Sequence, residues 1–234
     1  MKEERTQFTF HPEYPYVIFC EGRDEKEWLI SYIEYLRTQC NLPDQFYVHD
    51  LGGNEDMLRV LPAISKLSNY NTAKAILFIR DAETNYQAAI NSLSGKLLKS
   101  FHFDASIASL YCNNWYVTED NIKIGFTLFP GIAPGGTILN GTLEDLCCSI
   151  LKTQSNIIST EEMQNLGIQY LNSLEKLQNQ QFKRLHKNRL HTYFSGTDQF
   201  VGMKIGEAAR AGCFDFSSCK LEYLKNIFTE MCNK

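Results

Sequence analysis

The sequence predicts an α/β domain with a mostly parallel sheet flanked by helices and a helical C-terminal part. Three observations carry that reading. Short apolar, β-branched and aromatic runs recur at residues 14–20, 46–50 and 75–80. Segments with apolar residues at three-and-four spacing separate them, and breaks bearing glycine or acids stand after the runs. Strands alternating with helical patterns form βαβ units, which build parallel sheets.

Residues 14–20 read as a buried strand, with Pro15 at its start. Glu21-Gly22-Arg23-Asp24 breaks the run. From Glu25, the residues Trp28, Leu29, Tyr32, Ile33 and Leu36 mark one face of a helix that Asp24 is placed to cap. Residues 46–50 form a second strand, followed by a Gly52-Gly53-Asn54 turn and a helix with Met57, Leu58, Leu61, Ile64 and Leu67 on one face. The third strand, 75–80, ends at Asp81-Ala82-Glu83. Residues 105–111 and 122–129 read as further strands, and 130–141 as a loop rich in glycine and proline. Thr142 caps a helix whose first turn holds Glu144 and Asp145, where carboxylates suit the helix dipole. After a polar stretch at 154–160 comes a long helix through Leu171, Leu174, Leu177, Phe182 and Leu185. Another starts near Gln199, and Leu221, Leu224 and Phe228 close the chain. With no repeat or linker, the chain reads as one domain, 1–234: a core over about 14–153 and a helical extension over about 160–234.

The bulk numbers narrow the class. The 234 residues, 44% hydrophobic and 21% charged, suffice for a sizeable core. No apolar run approaches membrane-spanning length, and the charged N-terminus reads as no signal peptide, so the expected location is cytoplasmic with no membrane partner. Eight cysteines without a C-x-x-C pair read as buried thiols in a reducing compartment rather than a zinc site. A net charge of −4 provides no global basic footprint for nucleic acid, although a local basic strip can still guide a phosphate backbone. Neither G-x-x-x-x-G-K nor G-x-G-x-x-G occurs. His49 and His102 are isolated and read as surface or core residues.

Two of the strands end in acids: Glu21 after the first, Asp81 and Glu83 after the third. In an open parallel sheet, ligands bind outside the carboxyl ends of the strands. Carboxylates converging there repel one another unless a cation joins them, and hard oxygen donors suit Mg²⁺ or Mn²⁺. The alternative is that each acid only caps the following helix.

The order strand, Glu-Gly, helix, strand, Gly-Gly, helix, strand, acid-x-acid resembles the Toprim family, a Rossmann-like Mg²⁺-binding module of topoisomerases, primases and several nucleases. Val17-Ile18-Phe19-Cys20-Glu21-Gly22 matches its E-G turn, and Asp81-Ala82-Glu83 matches its D-x-D except for glutamate at the second acid. The chain also looks like a bacterial Toprim-related family of uncharacterised function. That likeness rests on His49-Asp50-Leu51-Gly52-Gly53, Phe129-Pro130-Gly131, Gly141-Thr142-Leu143-Glu144-Asp145, Lys187-Asn188-Arg189 and Gly206-Glu207-Ala208. The resemblance implies a metal held by Glu21, Asp81 and Glu83, with Glu144 and Asp145 as candidates for a second metal, and a catalytic role for Glu21 as general base.

Phosphate chemistry also needs cations. Lys183, Arg184, Lys187, Arg189 and His191 form the densest basic cluster, with Lys183, Lys187 and His191 stepping by four. Such a cluster is either a solvated helix face or a phosphate contact. Arg23, Lys183, Lys187 and Arg189 are the candidate nucleic-acid contacts, and Lys187 is also a candidate transition-state stabiliser. The expected function is a Mg²⁺-dependent nuclease or nuclease-like effector acting on DNA or RNA. An ATPase partner in defence against phage is implied by the resemblance alone. The rival reading is a non-catalytic Toprim-like binding subunit, and a third is metal-dependent action on a small phosphorylated substrate.

Overall fold

A computed structural model describes residues 8–101, 114–133, 135–152 and 159–233. The predicted strand at 105–111 lies outside these residues. Five strands form one sheet: β1 (Tyr16–Cys20), β2 (Phe46–Asp50), β3 (Ala75–Asp81), β4 (Trp115–Val117) and β5 (Lys123–Phe129), in the order β2-β1-β3-β5-β4. β1 pairs in parallel with both β2 and β3, β3 pairs in parallel with β5, and only β4 runs antiparallel. The sheet is therefore mostly parallel and flanked by helices, as expected.

β1, β3 and β5 read as continuous apolar runs because both of their faces are covered. Ile18 and Cys20 of β1 and Leu77 and Ile79 of β3 belong to one buried cluster, with Trp28, Leu29, Tyr32 and Leu36 of helix α1 (Arg23–Cys40). Val17, Phe19, Ile76 and Phe78 point the other way, onto Met57 of α2 (Asn54–Val60) and onto Ile90, Leu93 and Leu97 of α3 (Tyr86–Phe101). The C-terminal helices join the first cluster. They are α4 (Leu143–Ser149), α5 (Thr160–Gln178), α6 (Leu185–Ser195), α7 (Ile205–Arg210) and α8 (Glu222–Cys232), and Leu146, Leu190, Phe194, Leu224 and Phe228 pack with α1 and β1. The helical extension thus shares a core with the sheet. Among the described residues, no helix is long and apolar enough to cross a membrane.

Several boundaries differ from the sequence reading. α1 starts at Arg23 behind an extended Gly22, so Asp24 lies in the first turn and is not the cap. The second helix ends at Val60 and continues as a 3-10 turn over Leu61–Lys66, where Pro62 has no N–H to give an α-helical ladder. The long helix stops at Gln178: Asn179 adopts a left-handed conformation (φ 50°), and Leu185 opens a separate helix. The segment near Gln199 is turn, with helix only from Ile205. α3 and β4 were not anticipated. The described cysteines are free, with Cys20, Cys147 and Cys213 buried but Cys40 and Cys219 exposed, so the expectation of buried thiols holds only in part.

Candidate functional site

Two directions of chain progression part between β1 and β3: β1 leads outward to β2, while β3 leads the other way through β5. Such a switch point opens a crevice at the carboxyl ends of the strands. Glu21 is the residue after β1, Asp81 is the last residue of β3, and the register sets Cys20 beside Ile79. The two acids therefore stand at neighbouring strand ends.

Around them the fold gathers two further acids and two cations. Glu25, one helical turn after Glu21, folds back over Gly22. A Cβ at position 22 would come within 2.8 Å of Glu25 Oε2, so a side chain there would push the Glu25 carboxyl from its place. Glu144, in the first turn of α4, is 4% exposed and meets Lys187 Nζ of α6 at 3.1 Å. The Leu143 N–H donates to Asp81 Oδ1 (2.9 Å), tying the start of α4 to the end of β3. Arg80 is buried, and its Nε lies 3.2 Å from Glu21 Oε1 and 3.3 Å from the Asp81 carbonyl oxygen. The Glu21 Oε1 atom is buried and, despite that ionic contact, accepts no well-aligned hydrogen bond.

The protonation equilibria register this crowding. Burial, only partly offset by Arg80, pushes the Glu21 carboxyl up to about 7, with the charges of Glu25 and Glu83 adding to the rise. Burial and the charges of Glu25, Glu21 and Glu144 lift Asp81 well above the usual carboxylate range. Glu25 is raised too, first by burial and then by Glu144. Burial pushes Glu144 up, but the Lys187 ammonium together with hydrogen bonds from its own backbone N–H, Thr142 and Lys187 more than offsets it and holds that carboxyl below its ordinary value. Four carboxyl groups thus face two cations, and three of the four take up protons more readily than an ordinary carboxylate does.

The remaining predicted residues lie farther out. Glu83 is exposed, with a left-handed backbone (φ 56°), and its N–H and carbonyl bridge to Gly141. It stands near enough to raise Glu21 but at the rim. The Asp145 carboxylate closes the capping box of α4, accepting from the Thr142 N–H (2.9 Å). Arg23 is exposed and borders a cleft of about 1000 Å³ that runs from Glu21 and Glu25 past the carboxyl end of β2 to α6 and α7. Lys187 and His191 also line it, one helical turn apart. Lys183 precedes α6 instead of sharing its face, and neither it nor Arg189 lines the cleft. Cleft cations that the sequence did not single out are Lys26, Lys204 and Arg210, the last held by Glu27 (2.5 Å). α7 comes this close to α1 because Gly206 has no side chain: a Cβ there would lie 2.3 Å from Glu27 Cβ.

Oxygen-only donors and a cluster of crowded carboxyls fit a hard divalent cation in chemistry. In position they do not yet close around one point, for among the described residues no group of three or more His, Cys, Asp or Glu side chains is placed to hold a metal ion.

Comparison with known proteins supplies one match. A family model described as a protein of unknown function, DUF3226, matches residues 15–233. The chain belongs to this family. The match runs from the start of β1 through α8, so the strand ends, the cleft and the helical part all fall within the family's span. No curated protein and no solved structure matches the chain.

Proposed function

We propose that this chain is a Toprim-type, Mg²⁺- or Mn²⁺-dependent phosphodiesterase that cleaves DNA or RNA. The observation that carries the proposal is the cluster of Glu21, Glu25, Asp81 and Glu144 at the β1/β3 switch point, with burial and mutual repulsion raising three of the four carboxyls. A cation there would draw on Glu21, Glu25 and Asp81, whose side chains would have to close toward one point, with Glu83 at the rim. A divalent cation there supplies polarisation of a phosphoryl oxygen and neutralises charge that gathers in the transition state.

The chain's own residues do the rest. Arg80 holds the Glu21 carboxylate at the strand end, and the Leu143 N–H fixes Asp81. Lys187, half-buried beside Glu144, brings a positive charge into the cleft where a phosphate would approach. Lys26, His191 and Lys204 line the same cleft and suit backbone contacts that read charge, not bases. An ATPase partner belongs to this proposal on the resemblance to Toprim nucleases alone.

The ion pairs Arg80–Glu21 and Lys187–Glu144 favour a second reading, in which internal cations satisfy the acids and the fold serves as a binding subunit. Labelled single-stranded DNA, duplex DNA and RNA incubated with Mg²⁺, Mn²⁺ or chelator separate the two. The enzyme reading expects metal-dependent cleavage that Asp81→Asn abolishes while the fold is retained. Cleavage by Asp81→Asn at the wild-type rate would refute the proposed site, and failure to cleave any substrate favours the binding subunit.

A further inference from the structure

Helix α5 buries little of itself. Of its 19 residues only Leu171 is buried, and its inner side packs on α6. On the outer side, Leu166, Tyr170 and Leu177 are 56%, 57% and 83% exposed, and Ser173, between the last two, is exposed as well. Among the described residues, the other large exposed apolar side chains, Tyr14, Val117, Leu139 and Val201, stand singly in separate places. Scattered exposure of that kind needs no explanation, whereas a row on one helix marks a contact surface.

The row has a definite period. Positions 166, 170, 173 and 177 step by four, three and four, which keeps all four on one narrow stripe and is the spacing of a coiled-coil seam. A helix with the same seam is the shape that covers it, and α5 is itself such a helix. The charge at its ends selects the direction. Glu161 and Glu162 stand in the first turn; in the last turn Lys176 stands beside Glu175, whose carboxylate is engaged by the Phe182 N–H, and Lys183 and Arg184 follow shortly after. Parallel pairing of two copies would bring like charges together. Antiparallel pairing brings the acids of each copy toward the bases of the other, in keeping with the helix dipoles. In that direction the seam closes on itself: Leu166 of one copy faces Leu177 of the other, and Tyr170 faces Ser173, a large side chain opposite a small one in each central layer.

We propose that α5 is a homodimerisation helix, pairing antiparallel with α5 of a second copy through Leu166, Tyr170, Ser173 and Leu177. The dimer joins the two clefts through rigid elements, because α5 packs on α6 and α6 carries Lys187 and His191. This surface stands independently of the proposed chemistry, since none of its residues lines the cleft.

Sedimentation velocity on the full chain from about 1 to 100 µM tests it, a range suited to an interface at the small end of stable ones. The expected result is a rise from 26.9 kDa toward twice that mass. Tyr170→Glu and Leu177→Glu should each stay at the single-chain mass throughout, with an unchanged far-UV circular dichroism spectrum, because both positions are exposed. Val201→Glu, equally exposed but off the seam, should dimerise as the wild type does. A wild type that remains at 26.9 kDa to the highest concentration overturns the proposal, as does a dimer that survives both seam variants.

Discussion

Replacing Glu21 by glutamine should stabilise the metal-free protein at pH 8, a reversal of what removing an ion-pair partner usually does. The Glu21 side chain is 14% exposed, and its carboxyl moves from 4.5 to about 7 on folding even with Arg80 beside it. Below about pH 4.5 the carboxyl is protonated in folded and unfolded chains alike, and no penalty exists. Between that value and 7 the unfolded chain ionises while the folded one keeps its proton, so stability falls as pH rises. Above 7 the full penalty is present, about 3 kcal/mol for a shift of this size. Glutamine is isosteric with the neutral acid and keeps an oxygen beside Arg80, so it escapes the penalty. For a chain of this length about 3 kcal/mol corresponds to a rise in Tm of roughly 6–12 °C. Thermal melts in chelator at pH 8 and pH 5 are the assay. Glu21→Gln should melt well above the wild type at pH 8 and within about 3 °C of it at pH 5, where the linked difference falls below about 1 kcal/mol. An equal offset at both pH values, or a variant less stable at pH 8, would refute the claim that Glu21 is a crowded, under-compensated carboxylate.

Three other outcomes follow from neighbouring geometry. Mg²⁺ should raise the wild-type Tm more at pH 8 than at pH 5.5, since protons compete for raised carboxyls, and an equal effect would place binding elsewhere. Lys187→Met leaves the buried Glu144 without its cation and should cost about 1–3 kcal/mol at pH 8 in urea unfolding, discounted for the exposure of Lys187. Because Glu144 is held below its ordinary value, that cost should fade as pH drops through the carboxylate range, and Glu144→Gln in the same chain should recover part of it; a cost independent of pH would show packing to be the cause. Gly206→Ala forces a Cβ into Glu27 and should lower stability by about 1–3 kcal/mol through the α1–α7 contact, whereas an unchanged Tm would mean that the helices can separate freely.

β1, β3 and β5 were legible because they are buried on both faces, and such strands appear in the sequence as unbroken apolar runs, whereas the short, partly exposed β4 left no such run. α1 was legible by the three-and-four spacing of Trp28, Tyr32 and Leu36. α3 was not: Ile90, Leu93 and Leu97 keep a helical spacing, but Ser92, Ser94, Gly95 and Ser100 among them are weak helix formers. The break after Gln178 was hidden because Phe182 and Leu185 prolong the apolar pattern across a left-handed Asn179. Glu21 and Asp81 could be singled out since each ends a strand. Glu25 carries a signal in the sequence, its step of four from Glu21, and Arg80 another, a charge at the end of an apolar strand. Lys204 and Arg210 had none, because only tertiary packing brings α7 to the cleft. Asp145 illustrates the limit of motif reasoning: next to Glu144 in sequence, it turns to its own helix cap while Glu144 turns to Lys187.

In the proposed function the acids at the ends of β1 and β3 bind a divalent cation. Titration of the metal-free protein with Mn²⁺, followed by the loss of the free-ion electron paramagnetic resonance signal, tests it most directly. Saturable binding in the wild type, weakened at least tenfold by Asp81→Asn and by Glu25→Gln and unaffected by Asp145→Asn, is the predicted result. Absence of saturable binding, or binding that Asp81→Asn leaves unchanged, would contradict the claim.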